Sequence, residues 1–141
     1  MHPTLDAESF NQRGAGYLPE LLGIKVNSVD KNLLHTELTV QKHHLAPNGY
    51  LHAGTVVTLA DTSCGYGCIA SLPEGAVSFT TIELKSNFLG TAREGVVECE
   101  AKLVHGGRNT QVWDAIVKHR DTGKLMATFR CTQMILYPRA S

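Results

Sequence analysis

The sequence has no surplus of charge of either sign: 13 Lys and Arg stand against 13 Asp and Glu in 141 residues, a formal net charge of zero. That balance supplies no positive field for a phosphate backbone or an anionic bilayer, so neither nucleic acid nor a membrane is expected as a partner. A surface with so little net charge also favours association, and part of it is expected to be covered by a second copy of the chain. Long hydrophobic runs are absent too. The longest weakly charged stretch, Leu51 to Pro73, contains Asp61, several Thr and Ser and three glycines, which is too polar for a membrane span of about 20 apolar residues. The first residues, Met1 to Glu8, show no cationic segment followed by an apolar one, so the expected location is the cytoplasm.

Cysteines at redox or metal-binding spacing are missing. Cys64, Cys68, Cys99 and Cys131 contain no C-x-x-C unit and read as small apolar core residues. The seven histidines are scattered, and His43 and His44 fall in a loop without the H-x-x-x-H spacing of a helical zinc site; no metal is expected. Charged residues make up 18% of the chain, below the roughly 25% usual in soluble domains, while 43% are hydrophobic. Such a chain folds around a core, and its length suits one domain spanning residues 1–141.

Along the chain, Thr4 is placed to cap a first helix with Asp6 and Glu8 near its start, ending at Gly14 or Gly16. A short turn over Leu18 to Leu22 has Pro19 near its start and stops at Gly23. Ile24 to Val29 and Leu33 to Val40 read as a hairpin around Asp30-Lys31-Asn32, with Leu34, Thr36, Leu38 and Val40 on one face. Lys42 to Tyr50 has loop composition. From Leu51 to Leu72 apolar and small residues surround almost the whole helical wheel, which predicts a helix buried on most sides. After Pro73-Glu74-Gly75 come four strand-length segments, Val77 to Phe88, Val96 to Val104, Gln111 to His119 and Leu125 to Tyr137. In the second of these, Val97, Cys99, Ala101 and Leu103 alternate with polar residues. Consecutive strands with short turns predict an antiparallel sheet. The expected fold class is therefore α+β, six strands with one long buried helix inserted after the second.

Between Leu51 and Pro73 the only fully charged residue is Asp61. An unpaired buried carboxylate loses several kcal/mol of solvation, so its presence requires a partner, a proton or a function. Two readings stand on the residues themselves: Asp61 caps a kink or reaches solvent along an exposed edge, or it is a general base or nucleophile whose basicity burial raises. Upstream, His52-Ala53-Gly54 precedes a helix whose first N–H groups and dipole can hold an anion; the alternative is an ordinary helix start with His52 as its cap. Ala53 lies eight residues from Asp61, about 12 Å of rise within one helix. Attack geometry needs groups within about 3–3.5 Å of the reacting carbon. Two copies packed antiparallel through this helix bring both groups to one carbonyl.

Leu51-His52-Ala53-Gly54-Thr55-Val56-Val57-Thr58-Leu59-Ala60-Asp61-Thr62 resembles the hotdog-fold acyl-CoA thioesterases of the phenylacetate-pathway and 4-hydroxybenzoyl-CoA thioesterase type, in their H-G-G-…-L-A-(Asp or Glu)-T pattern. Leu21-Leu22-Gly23-Ile24 before the first strand and Gly107-Arg108-Asn109-Thr110-Gln111-Val112-Trp113 opening the penultimate strand extend the likeness over residues 15 to 137. The resemblance implies a sheet wrapped around the long helix, a homodimer with two shared active sites, a dimer of dimers, and an acyl-CoA substrate with no separate cofactor. It also implies that the thioester carbonyl accepts a hydrogen bond from the Ala53 N–H of one subunit, with His52 and Gly54 beside it among the catalytic positions, while Asp61 of the other activates water or attacks directly. In this reading coenzyme A binds at Asn87-Phe88-Leu89-Gly90 and His105-Gly106-Gly107-Arg108-Asn109-Thr110, with Arg93 and Lys102 as further candidates, since guanidinium pairs bidentately with phosphate.

The chain departs from the pattern in three places. Ala53 replaces the first glycine of H-G-G. Ala46 stands where relatives carry Gln or Asn, with Asn48 or His44 as replacements. Gly65 stands where some relatives carry Ser or Thr, with Thr62 or Ser63 as stand-ins. Tyr17, His44 and Tyr50 are candidates to line an acyl pocket, and Trp113 is expected in the core or an interface. A hotdog hydratase using His52 with Asp61, and a non-catalytic acyl-CoA-binding module, are the competing readings.

Overall fold

The computed structural model describes residues 5–139. Helix α1 (Ala7–Arg13) is capped by Asp6, whose side chain accepts from the Ser9 N–H while the Ser9 hydroxyl accepts from the Asp6 N–H. Thr4 lies outside the described residues, and Asp6 takes the capping role expected of it. Helix α2 (Leu18–Leu21) has Pro19 in its first turn. Strands β1 (Lys25–Asp30) and β2 (Leu33–Thr39) follow, turning through Asn32 at φ 60°, a left-handed conformation that Asn tolerates. A 3-10 turn covers Lys42–His44 in the expected loop. Helix α3 (Ala53–Ala70) then leads to β3 (Ser78–Phe88), β4 (Val96–Gly106), β5 (Thr110–His119) and β6 (Leu125–Leu136).

All six strands form one antiparallel sheet in the order β1-β2-β4-β5-β6-β3, so β3 crosses to the far edge and β4 returns beside β2. Helix α3 lies on one face and touches every strand. This is the hotdog arrangement expected from the sequence. The element boundaries shift by one to two residues. The helix starts at Ala53 rather than Leu51 because His52 caps it, and β4 runs on to Gly106 through a register shift between Leu103 and His105.

Alternation puts Leu34, Thr36 and Leu38 of β2 and Val97, Cys99 and Ala101 of β4 against α3, all buried. The helix meets them with small residues. A Cβ built on Gly67 would lie 2.6 Å from the Trp113 indole, and one on Gly65 would lie 2.9 Å from Phe79 Cζ. Glycine at both positions is therefore what lets two large rings from the sheet rest on the helix backbone. Trp113 is fully buried in the core, and its Nε1 donates to Gln111 Oε1 at 2.7 Å. The four cysteines are buried and unbridged, and burial pushes the Cys68 thiol up to about 12 and the Cys99 thiol to about 11. They act as small core residues. Among the described residues, no helix is long and apolar enough to cross a membrane.

Gly67→Ala is expected to destabilise the fold by about 1–3 kcal/mol, the usual cost of overpacking, because the indole has no room to retreat. Urea unfolding followed by the fluorescence of Trp113, the only tryptophan in the chain, measures this, and an unchanged midpoint would contradict it.

Candidate active site

Helix α3 is covered by the sheet on all but one side. Thr55, Val56, Leu59, Ala60, Ser63 and Cys64 are buried, whereas Ala53 and Gly54 are exposed and Val57, Thr58, Asp61 and Thr62 half-buried. These open positions recur every three to four residues and form one seam. Asp61 is its only charge. Its Oδ1 is buried and has no hydrogen-bond partner among the described residues. Burial alone pushes its carboxyl above the ordinary carboxylate range, since no charged neighbour contributes. The carboxyl is therefore basic and is not spent on a structural contact.

At the helix start, His52 adopts an extended conformation and its Nδ1 accepts from the Gly54 N–H at 2.7 Å. The Gly54 donor is thus already engaged, and a side chain at 54 would press on the ring, since a Cβ there would lie 3.0 Å from Nδ1. The Ala53 N–H makes no hydrogen bond among the described residues and stands at the positive end of the helix. The Ala53 N–H, the donor expected here, is thus free. His52 is turned into the first helical turn rather than toward Asp61, which disfavours an Asp/His pair for hydration chemistry.

The loop after β3 closes over this end. The Leu51 N–H donates to the Ala92 carbonyl, and the Arg93 guanidinium lies 4.3 Å from the Tyr50 ring centroid. Arg93 also lines a hollow of about 560 Å³ with Glu94, His119, Asp121 and Lys124. Asn48 is exposed, but its Oδ1 accepts from the Tyr50 N–H, a local turn. The Gly90 N–H donates to the Met126 carbonyl, so it serves the sheet.

The second expected loop lies elsewhere. Gln111 Nε2 donates to the Ser71 carbonyl at the C-terminal end of α3, tying the start of β5 there. The Gly107 N–H donates to the Thr110 carbonyl, and the Asn109 and Arg108 carbonyls accept from the Ile135 N–H and the Tyr137 hydroxyl. Arg108 and Asn109 remain exposed. Since α3 has 18 residues, this loop and the Arg93 loop are about 27 Å apart along the axis. Within one chain the structure brings Asn48, His52, Ala53, Gly54 and Arg93 together and leaves Gly107 to Thr110 at the opposite end. Asn87 and Lys102 lie on the sheet face away from α3, where Asn87 shares a hollow with Asp114 and Arg130 and Lys102 pairs in register with Asp114.

Two proposed stand-ins are engaged elsewhere. His44 is buried, with Nδ1 accepting from the Gln41 N–H and Nε2 donating to the Leu22 carbonyl at 2.7 Å, so it neither replaces a polar group at Ala46 nor lines a pocket. Ser63 is buried against the sheet, donating to the Leu59 carbonyl and bonded to the Thr36 hydroxyl at 2.7 Å. Thr62 stays on the seam beside Asp61. Tyr17 and Tyr50 are exposed. Phe79, whose ring fills the space beside Gly65, is a neighbour of the seam that sequence pattern does not single out; its only trace is the bare glycine one turn after Asp61. Among the described residues, no group of three or more His, Cys, Asp or Glu could hold a metal ion.

The fold and the seam define a hotdog thioesterase. The Thioesterase superfamily profile matches residues 48–126, and the chain belongs to that family. It is 34% identical over 115 residues to the 1,4-dihydroxy-2-naphthoyl-CoA hydrolase of Listeria monocytogenes, covering 82% of this chain and 92% of that one. It is 30% identical over 132 residues to the Escherichia coli protein of the same name, covering 92% and 93%. Among solved structures, a mutant form of thioesterase PA1618 from Pseudomonas aeruginosa superposes with a TM-score of 0.89 at 28% identity, covering 98% of this chain and 97% of that one. The protein is thus a thioester hydrolase.

The raised carboxyl has a consequence for stability. Asp61 holds its proton more tightly folded than unfolded, so the native state is penalised as pH rises through the folded pKa. Asp61→Asn removes that penalty. The variant is expected to melt at a higher temperature than the parent near about pH 8, with the advantage shrinking toward about pH 4, where an unfolded Asp is itself protonated. Thermal melts across this range check it; a lower melting temperature at the alkaline end would contradict the assignment.

Proposed function

We propose that two copies of this chain build each active site and hydrolyse an acyl-CoA thioester with an aryl or short to medium acyl group, giving the free acid and coenzyme A. The observation that carries the reading is Asp61, a half-buried and basic carboxyl whose enclosed Oδ1 has no partner, on the one seam of α3 that the sheet leaves open. Its oxyanion donor is the unengaged Ala53 N–H, worth about 2.7–4 kcal/mol in the transition state if it behaves as other such donors do. One helix holds these two groups about 12 Å apart, and an antiparallel second helix places the donor of one copy at the carboxylate of the other.

The second copy has further support. Strand β3 is an unpaired edge of 11 residues carrying exposed Ile82, Leu84 and Phe88, with Leu89 just beyond it. Such an edge invites pairing with another chain. An antiparallel pair also puts the Arg108 loop of one copy at the Arg93 end of the other, so that two loops separated within a chain serve one nucleotide. On the outer sheet face, exposed Met134 and Leu136 pair in register with Thr80 and Ser78 and offer an area for pairing of dimers.

Asp61 acts on the thioester in one of two ways. As a general base it takes a proton from water, which adds to the carbonyl, and collapse of the tetrahedral intermediate expels the coenzyme A thiolate. As a nucleophile it displaces that thiolate directly, giving a mixed anhydride that water then opens. Both routes require the ionised form. The names of the two hydrolase relatives favour an aryl acyl group.

Asp61→Asn is expected to lower kcat by at least about a hundredfold with the fold retained, measured by release of free thiol from acyl-CoAs; near-parental turnover in the folded variant would overturn the mechanism. Arg108→Ala is expected to raise KM for full coenzyme A thioesters and to affect pantetheine thioesters much less, because a phosphate contact lies far from the reacting carbon. An equal loss with both substrates would move the nucleotide site away from Arg108.

A further inference from the structure

We propose that the Phe79 ring is the wall of the acyl side of the site, seated there because residue 65 is glycine, and that it sets how bulky an acyl group the protein accepts. The inference rests on the reading of Asp61 as the group at the thioester.

The geometry is local. A side chain at position 65 would lie on the same face of α3 as Asp61, with Cβ atoms about 5–6 Å apart, as for any pair four residues apart in a helix. Residue 65 has no side chain, and Phe79 takes its space: the ring enters end-on, with Cζ 2.9 Å from where the Cβ would be and the two Cε atoms at 3.6 and 3.8 Å. The chain thus replaces a residue of α3 beside the carboxyl with an aromatic ring delivered from β3. Phe79 pairs with buried Ile135, which places it on the helix side of the sheet, and it stays half-buried, so part of the ring is left for contact. A register shift between Thr81 and Glu83 resets the pleat, and Leu84, paired with buried Cys131, continues the same apolar wall.

The chemistry of the substrate then decides what lies against it. The carbonyl carbon must sit within about 3–3.5 Å of the attacking oxygen. Of its two substituents, one is a polar arm of amides ending in phosphates and the other is the acyl group. Beside Asp61 the seam offers the hydroxyls of half-buried Thr58 and Thr62, suited to the polar arm. Toward the helix end it offers Phe79. Hydrocarbon gains by leaving water for that wall, and its bulk is limited by how far the ring projects.

The test compares the parent with Phe79→Leu and Phe79→Ala on acetyl-, hexanoyl-, benzoyl- and naphthoyl-CoA, taking kcat/KM for each. Both variants are expected to raise the naphthoyl-to-acetyl ratio by about tenfold, the scale on which apolar pocket volume discriminates. A merely structural role would lower all four values together and leave the ratio where it was. A ratio unchanged within about twofold in folded Phe79→Leu overturns the inference while the hydrolase reading stands. Should the alanine variant fail to fold, the leucine variant carries the test. If the parent itself cleaves none of the four, the reading of Asp61 falls, and this inference falls with it.

Discussion

Every strand of this protein packs on α3, and α3 can accept all six because its buried face is built largely from glycine, alanine, serine and cysteine, with few large side chains. Bulk comes instead from the sheet, and two of its rings, Trp113 and Phe79, reach the helix backbone at Gly67 and Gly65. Close packing of this kind tolerates little change in volume on either side. It also dictates polarity: a helix so enclosed has room for one charge only where the enclosure stops. Asp61 sits there, and its raised basicity follows from the same burial that stabilises the fold.

The start of α3 is governed by a second constraint. Each helix begins with N–H groups that lack intrahelical partners. Here His52 satisfies the one at Gly54, and the one at Ala53 stays open. A single capping imidazole thus sorts two adjacent donors into an engaged one and a free one. The two essential groups of the proposed site are both products of how one helix is terminated and covered.

Much of this was legible before any coordinates. The alternation in β2 and β4 identified the buried residues because one face of an antiparallel sheet meets the core and the other faces away. The isolated Asp61 was legible because a charge among small residues has few explanations. What escaped were properties set by partners distant in sequence. His44 and Ser63 look like free polar groups, yet Leu22 and Thr36, 22 and 27 residues away, engage them. The Gly54, Gly90 and Gly107 amides looked available and are used by the cap, the sheet and a turn. The separation of the Arg93 and Arg108 loops depends on which end of the helix each strand connection reaches, and no local pattern records that.

The strand order has a kinetic side. The β1–β2 hairpin and the β4–β5–β6 meander join neighbours in sequence, so their loops close at low entropic cost. The β2–β4 and β3–β6 pairings instead bridge segments separated by the whole of α3 or by two intervening strands, and long-range closure of this kind slows folding. A chain that has formed its local pairs still exposes β6 on one side and the apolar residues of β3 on the other. Helix α3 packs on the meander and precedes β3 in the chain, so docking of α3 holds β3 near β6. Because α3 packs on the meander and leads directly into β3, a weakened α3 is expected to show itself first as aggregation during refolding.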